Sequence, residues 1–121
     1  MPPSAPKPRG AQSEDLARAH LEKSGLTWIT ANYRARQGEI DLIMRDGATL
    51  VFVEVRARSA RGLVGALDSL TAAKLARLRG TAESYLAAHP RLAGAPCRFD
   101  VVALSWPEQG RPHIEWLKDA F

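Results

Sequence analysis

Glu39 and Asp41 stand two residues apart in the segment Glu39–Arg45, and Glu54 interrupts the apolar run Leu50-Val51-Phe52-Val53-Glu54-Val55. In an extended chain alternate residues share a face, so Glu39 and Asp41 project together. A carboxylate flanked by Val53 and Val55 is costly to bury alone. A salt bridge, hydrogen bonds or a cation must offset that cost. Two hard oxygen donors converging at strand ends suit Mg²⁺ or Mn²⁺. Such an ion polarises a phosphate and acidifies a bound water, the chemistry of phosphodiester hydrolysis. Arg56, two residues after Glu54, faces the same way and would pair with the carboxylates or hold a scissile phosphate. Glu14 is a further carboxylate that a first helix could bring to the site. The competing reading makes Glu54 and Arg56 an ordinary cross-strand ion pair at a sheet edge.

The elements that would position these groups follow from local patterns. Ser13 can cap a first helix, with Glu14 and Asp15 in its first turn and Leu16, Ala17, His20 and Leu21 at helical spacing. Gly25 ends it. Thr27–Tyr33 is β-branched and aromatic, a first strand, and Glu39–Arg45 a second. Asp46-Gly47 is a hairpin turn signal. Thr49–Arg58 is a third strand, apolar enough to be central and covered on both faces. About five residues separate Asp41 from the turn and about seven separate the turn from Glu54, so an offset or bulge is expected to level them. Ser59–Leu67 reads as a mobile loop. Ser69 or Thr71 caps a second helix ending near Ala88, with Leu70, Leu75, Leu78, Ala82 and Leu86 as its apolar face. Arg98–Leu104 is a fourth strand and His113–Leu117 a short fifth at the edge. Strand, crossover helix and strand predict a right-handed parallel unit. The expectation is an α/β fold, a mixed sheet flanked by helices in the order α-β-β-β-α-β-β.

The length of 121 residues suits one domain. Met1–Gln12 carries four of the eight prolines and reads as a disordered basic tail, leaving residues 13–121 as the domain. The tail lacks the apolar stretch of a secretory signal. No apolar run approaches the roughly 18 residues of a membrane span. The single cysteine, Cys97, excludes an internal disulfide framework and a cysteine-based zinc cluster, in keeping with a cytoplasmic location. Net charge is +4, but Arg56–Arg79 holds six basic residues against Asp68 alone, a local +5. That stripe suits a polyanion. It also suits a solvated helix face.

The runs Gln37-Gly38-Glu39-Ile40-Asp41-Leu42-Ile43 and Leu50-Val51-Phe52-Val53-Glu54-Val55-Arg56-Ala57-Arg58 resemble the YraN-like family of small uncharacterised bacterial proteins. Asn32-Tyr33-Arg34, Lys74 and Arg98-Phe99-Asp100-Val101-Val102 extend the likeness across about Ser13 to Leu104. That family in turn resembles the PD-(D/E)XK restriction-endonuclease-like superfamily and, within it, archaeal Holliday-junction resolvases. The resemblance implies a restriction-endonuclease-like fold, with Asp41 and Glu54 as metal ligands, Glu14 as the helical carboxylate, Glu39 as an accessory acid, and Arg56 at the position of the catalytic lysine. Arginine there keeps the charge but does not readily give up a proton. Ser13 stands where the family commonly has glycine, a capping change.

Arg58, Arg61, Lys74 and Arg77 are the expected phosphate contacts, Lys74 and Arg77 sharing one helix face. Trp28 is expected in the core, Trp106 and Trp116 over the sheet edge, and Asp100 in a structural pairing. His20, His89 and His113 show no metal-ligand spacing. Three functions compete: a metal-dependent nuclease on structured or branched DNA, a nucleic-acid-binding module silenced by Arg56, and a scaffold. Paired nicking of a junction would require two sites, hence a homodimer.

Overall fold

A computed structural model describes residues 9–57 and 61–121. The chain runs α1 (Arg9–Lys23), β1 (Thr27–Ala35), β2 (Gly38–Asp46), β3 (Thr49–Arg56), α2 (Gly62–Asp68), α3 (Ala72–Ala88), β4 (Cys97–Ser105) and β5 (His113–Leu117), with a 3₁₀ turn at Pro90–Leu92 before β4. The five strands form one sheet in sequence order, β3 at its centre. Only β3 and β4 are parallel; the other pairings are antiparallel. This is an α/β, restriction-endonuclease-like arrangement.

The near-continuous apolar run of β3 is what makes it central, because each face has its own core. Val51 and Val53 pack with Leu42, Met44, Val102 and Leu104 under Ala17 and Leu21 of α1. Leu50 and Phe52 pack with Ile40 and Ile43 under Leu78, Ala82 and Tyr85 of α3. The helices therefore lie on opposite faces, and the parallel crossover runs through α2 and α3. Thr71 caps α3 from an extended backbone, its hydroxyl accepting from the Lys74 N–H at 3.2 Å. Gly25 leaves α1 at φ +100°, in the left-handed region that a residue without Cβ enters cheaply.

Three expectations are corrected. Ser13 is not the cap of α1, which begins at Arg9. Ser13 lies inside the helix, fully buried, and its hydroxyl accepts from the Trp106 indole at 2.9 Å. That interaction satisfies a buried hydroxyl and frees it from capping. Glu14 and Asp15 consequently fall beyond the first turn, and Arg9–Gln12, expected in a tail, are helical. The rest of that tail, residues 1–8, lies outside the described residues. Within the expected loop Ser59–Leu67, residues from Gly62 onward form α2. Leu63, Ala66 and Leu67 recur at helical spacing and cover Val101 and Ala103 of β4, a face that would otherwise meet water. Trp28, expected in the core, is 37% exposed on edge strand β1. The Arg18 guanidinium covers its ring at 4.0 Å from the centroid, a cation–π contact in place of burial.

Among the described residues, no helix is long and apolar enough to cross a membrane.

Candidate active site

The hairpin between β2 and β3 sets the geometry of the acids. Its register runs unbroken from Asp46↔Thr49 to Leu42↔Val53. Asp41 and Glu54 occupy the next rung, so they come level without the expected offset or bulge. Backbone pairing stops there, and the Asp41 carboxylate takes its place: Oδ2 accepts from the Val55 N–H at 2.8 Å. Ile40 and Ile43 both enter the core under α3, so strict alternation of faces slips within this stretch of β2. Glu54 continues the row of Leu50 and Phe52 toward α3, its side chain 15% exposed, with Arg56 Nε 3.5 Å from its Oε1. Glu14 arrives from α1, within hydrogen-bonding reach of Asp41 and of the Asn32 side chain.

Burial is the largest influence on all three acids, and it favours their neutral forms. Asp41 is pushed up to about 8, by burial first and then by the Glu54 charge; the Val55 N–H opposes this, while Glu14 and Glu39 add to it. Burial raises Glu54 too, against the opposing pull of Arg56, a hydrogen bond with Asp41 and the Lys74 charge. Glu14 is raised by burial, with the Asn32 hydrogen bond opposing. Acceptors face acceptors here. Without a cation, the Asp41–Glu54 pair keeps a proton at neutral pH.

Glu54 opens onto a cleft of about 170 Å³, lined with it by Glu39 and Arg56 on the sheet and by Lys74, Arg77 and Leu78 on α3. Helical spacing puts those three α3 residues on one face. The turn between β1 and β2 closes one end. There Gln37 meets Ser84 at 3.1 Å and packs so tightly on Gly80 that a Cβ would come within 3.3 Å of it. A larger cavity of about 480 Å³ lies beyond Arg56, between Gly10, Val55 and the α2 residues Gly65 and Ala66. No carboxylate lines it, so the smaller cleft is the chemically equipped one.

The profile of the uncharacterised protein family UPF0102 matches residues 13–104. The chain belongs to that family. A UPF0102 protein of Pseudomonas aeruginosa is 46% identical over 114 residues, covering 93% of this chain and 91% of its own length. One from Cupriavidus taiwanensis is 55% identical over 115 residues, covering 93% of this chain and 82% of its own. One from Pseudomonas entomophila is 45% identical over 121 residues, covering 100% and 98%. The stretch matched by the UPF0102 profile contains Glu14, the whole β2–β3 hairpin and α3, and stops before β5.

Within this UPF0102 chain, Glu14, Glu39, Asp41, Glu54, Arg56, Lys74 and Arg77 gather at one end of the sheet. Arg61 does not join them. It lies beside α2 and pairs with Asp68 at 3.1 Å, both side chains exposed, so its charge is used locally. Arg58 lies outside the described residues. Asp100 is the structural pairing expected, held by Arg98, Trp116 and the Asp119 N–H. Asn32 entered the sequence reading only through the family likeness, with no role at the site. It sits at φ +53° on β1, and asparagine is among the few residues with a side chain that enter this region readily. An asparagine inside a β-branched strand was the available signal. Among the described residues, no three Asp, Glu, His or Cys side chains converge tightly enough to enclose an ion as they stand. The carboxylates contact one another instead.

Proposed function

We propose that this UPF0102 protein is a divalent-metal-dependent nuclease of the cytoplasm that hydrolyses phosphodiester bonds in DNA, branched DNA included. One observation carries the reading: Glu54, buried against the carboxylate of Asp41 and repelled by it, lines a cleft whose other members include Arg56, Lys74 and Arg77. Acids placed so that they need a positive charge, beside cations placed to hold a negative one, suit a metal ion and a phosphate together.

The donor set fits Mg²⁺ or Mn²⁺. Asp41 and Glu54 would hold the ion through hard oxygens, with Glu14, hydrogen-bonded to Asp41, as a third donor and Glu39, ion-paired with Arg34, as an accessory acid. When bound, the ion supplies a Lewis acid and an acidified water. The chain's own residues do the rest. The Val55 N–H fixes Asp41 in orientation. Asn32 restrains Glu14. Arg56, Lys74 and Arg77 balance the phosphate charge and position the backbone without reading sequence. A homodimer would bring two such sites to one junction.

A second reading is a nucleic-acid-binding module that does not turn over. It is favoured by Arg56, a guanidinium that stays charged and is already engaged with Glu54.

The deciding experiment incubates the wild type and Asp41→Ala with four-way-junction DNA and Mn²⁺, and follows Mn²⁺ binding by calorimetry. The nuclease reading expects nicking and metal binding by the wild type, both lost in the variant, with junction affinity retained. Metal and junction binding without nicks would favour the silent module. Nicking by Asp41→Ala at the wild-type rate would sink the site assignment.

A further inference from the structure

Two cations bear on Glu54 from different elements, and their surroundings separate them. Arg56 shares its strand with Glu54 and stays beside it at 3.5 Å. Its Nε is buried and has no hydrogen-bond acceptor of its own. The side chain forms the wall between the two cavities, lining both. A guanidinium that starts two residues from Glu54 on the same strand is placed to neutralise that carboxylate.

Lys74 comes from across the cleft. It is exposed, and among the described residues its Nζ donates to a neutral group, the Ser69 carbonyl, at 3.1 Å. That bond parks the ammonium without cancelling its charge, which still bears on Glu54. Its place in the helix is also unfavourable. Lys74 is the third residue after the Thr71 cap, in the first turn of α3, where the helix dipole favours acids, and no acid occupies that turn. Its Nζ rests on the C-cap carbonyl of α2, a helix end that favours a cation, and with no carboxylate hydrogen-bonded to it among the described residues the ammonium on the cleft face is arranged for an anion.

We propose that Lys74 is the catalytic cation of the cleft, touching the scissile phosphate, while Arg56 is a positioning residue that holds Glu54. This inference rests on the nuclease reading. Lys74 forms and breaks no covalent bond. It donates a hydrogen bond to a non-bridging phosphate oxygen as negative charge builds there. A flexible stem lets the ammonium leave the Ser69 carbonyl for that oxygen.

The test compares single-turnover nicking of a four-way junction in Mn²⁺ by the full-length wild type, Lys74→Ala, Lys74→Arg and Arg56→Gln. Junction affinity is measured separately in Ca²⁺. Lys74→Ala is expected to slow nicking by about 100-fold, the scale for losing one preorganised donor to a developing anion. Its junction affinity should change far less. Lys74→Arg should recover part of the rate, and added ethylammonium should partly rescue Lys74→Ala, which a merely structural lysine would not allow. Arg56→Gln should weaken Mn²⁺ binding. Wild-type nicking by Lys74→Ala, or a rate loss that neither Lys74→Arg nor ethylammonium restores, would overturn the assignment and leave the nuclease reading standing. A folded wild type that binds Mn²⁺ and junction but never nicks would remove both.

Discussion

The sheet buries acids in two places, and they are treated in opposite ways. On β4, Asp100 is fully buried and surrounded by donors: Arg98 Nε at 3.0 and 3.2 Å, the Trp116 indole at 2.9 Å and the Asp119 N–H at 2.9 Å. Arg98 also reaches Asp46 at 2.8 Å, tying β4 to the β2–β3 turn. Across β3, on β2, Asp41 has one backbone donor and faces Glu54, Glu14 and Glu39. One acid is a completed structural pairing. The other belongs to a group short of positive charge. Burial alone does not mark a functional carboxylate; the balance of donors and acceptors around it does.

The contrast is exposed to measurement. The largest effect is expected at Asp100. Asp100→Ala removes the acceptor of the Arg98 Nε, the Trp116 indole and the Asp119 N–H and should cost about 3–5 kcal/mol in urea unfolding, the scale for breaking a buried pair. A small cost would mean that Asp100 is as dispensable to the fold as the cleft acids are expected to be. Adding Mn²⁺ at 100 times its dissociation constant should stabilise the wild type by about 2.7 kcal/mol and leave an Asp41→Ala/Glu54→Ala variant unchanged. Equal stabilisation of both would place the ion elsewhere.

The pH dependence has the opposite sign to that of a salt-bridged carboxylate. Asp41 is raised from the ordinary 3.8 to about 8, and Glu54 and Glu14 are raised with it. Between those values the folded state binds more protons than the unfolded one. Stability of the metal-free protein is therefore greatest at low pH on this account and is lost as pH rises from about 4 to about 8. Asp41→Asn should relieve this, gaining at least about 1.4 kcal/mol at pH 8, the worth of a single pKa unit. A loss at pH 8 would show that the cleft carboxylates are as well satisfied as Asp100. The smallest effect belongs to Arg61→Ala, which removes an exposed ion pair with Asp68 and should change stability by less than about 1 kcal/mol, with nicking unaltered.

Much of this arrangement can be read along the chain, and the exceptions have physical causes. Asp46-Gly47 announces the hairpin, but the two turn residues are Gly47 and Ala48, with Asp46 paired to Thr49, and that one-residue shift brings Asp41 level with Glu54. The apolar run of β3 and the spacing of Leu78, Ala82 and Tyr85 on α3 likewise act through neighbours a few residues away. Other features depend on partners far off. Ser13 looked like a cap because capping is the common use of an exposed serine before a helix. Only the Trp106 indole, 93 residues later, makes it an interior residue. The segment that forms α2 carries Gly62 and Gly65 and has little helical preference of its own. It is helical because Val101 and Ala103 need a cover.

The site divides along the same line. Residue types and the hairpin signal put Asp41 and Glu54 on neighbouring strands with Arg56 two residues on, because strand geometry is local; their exact level waited on the turn residues, Gly47 and Ala48. Whether Glu14 reaches Asp41 depends on how Ala17 and Leu21 seat α1 against β3. Whether Lys74 faces Glu54 depends on how Leu78 and Ala82 seat α3 on the opposite side. Those distances are set by packing between elements remote in sequence, which no local pattern encodes.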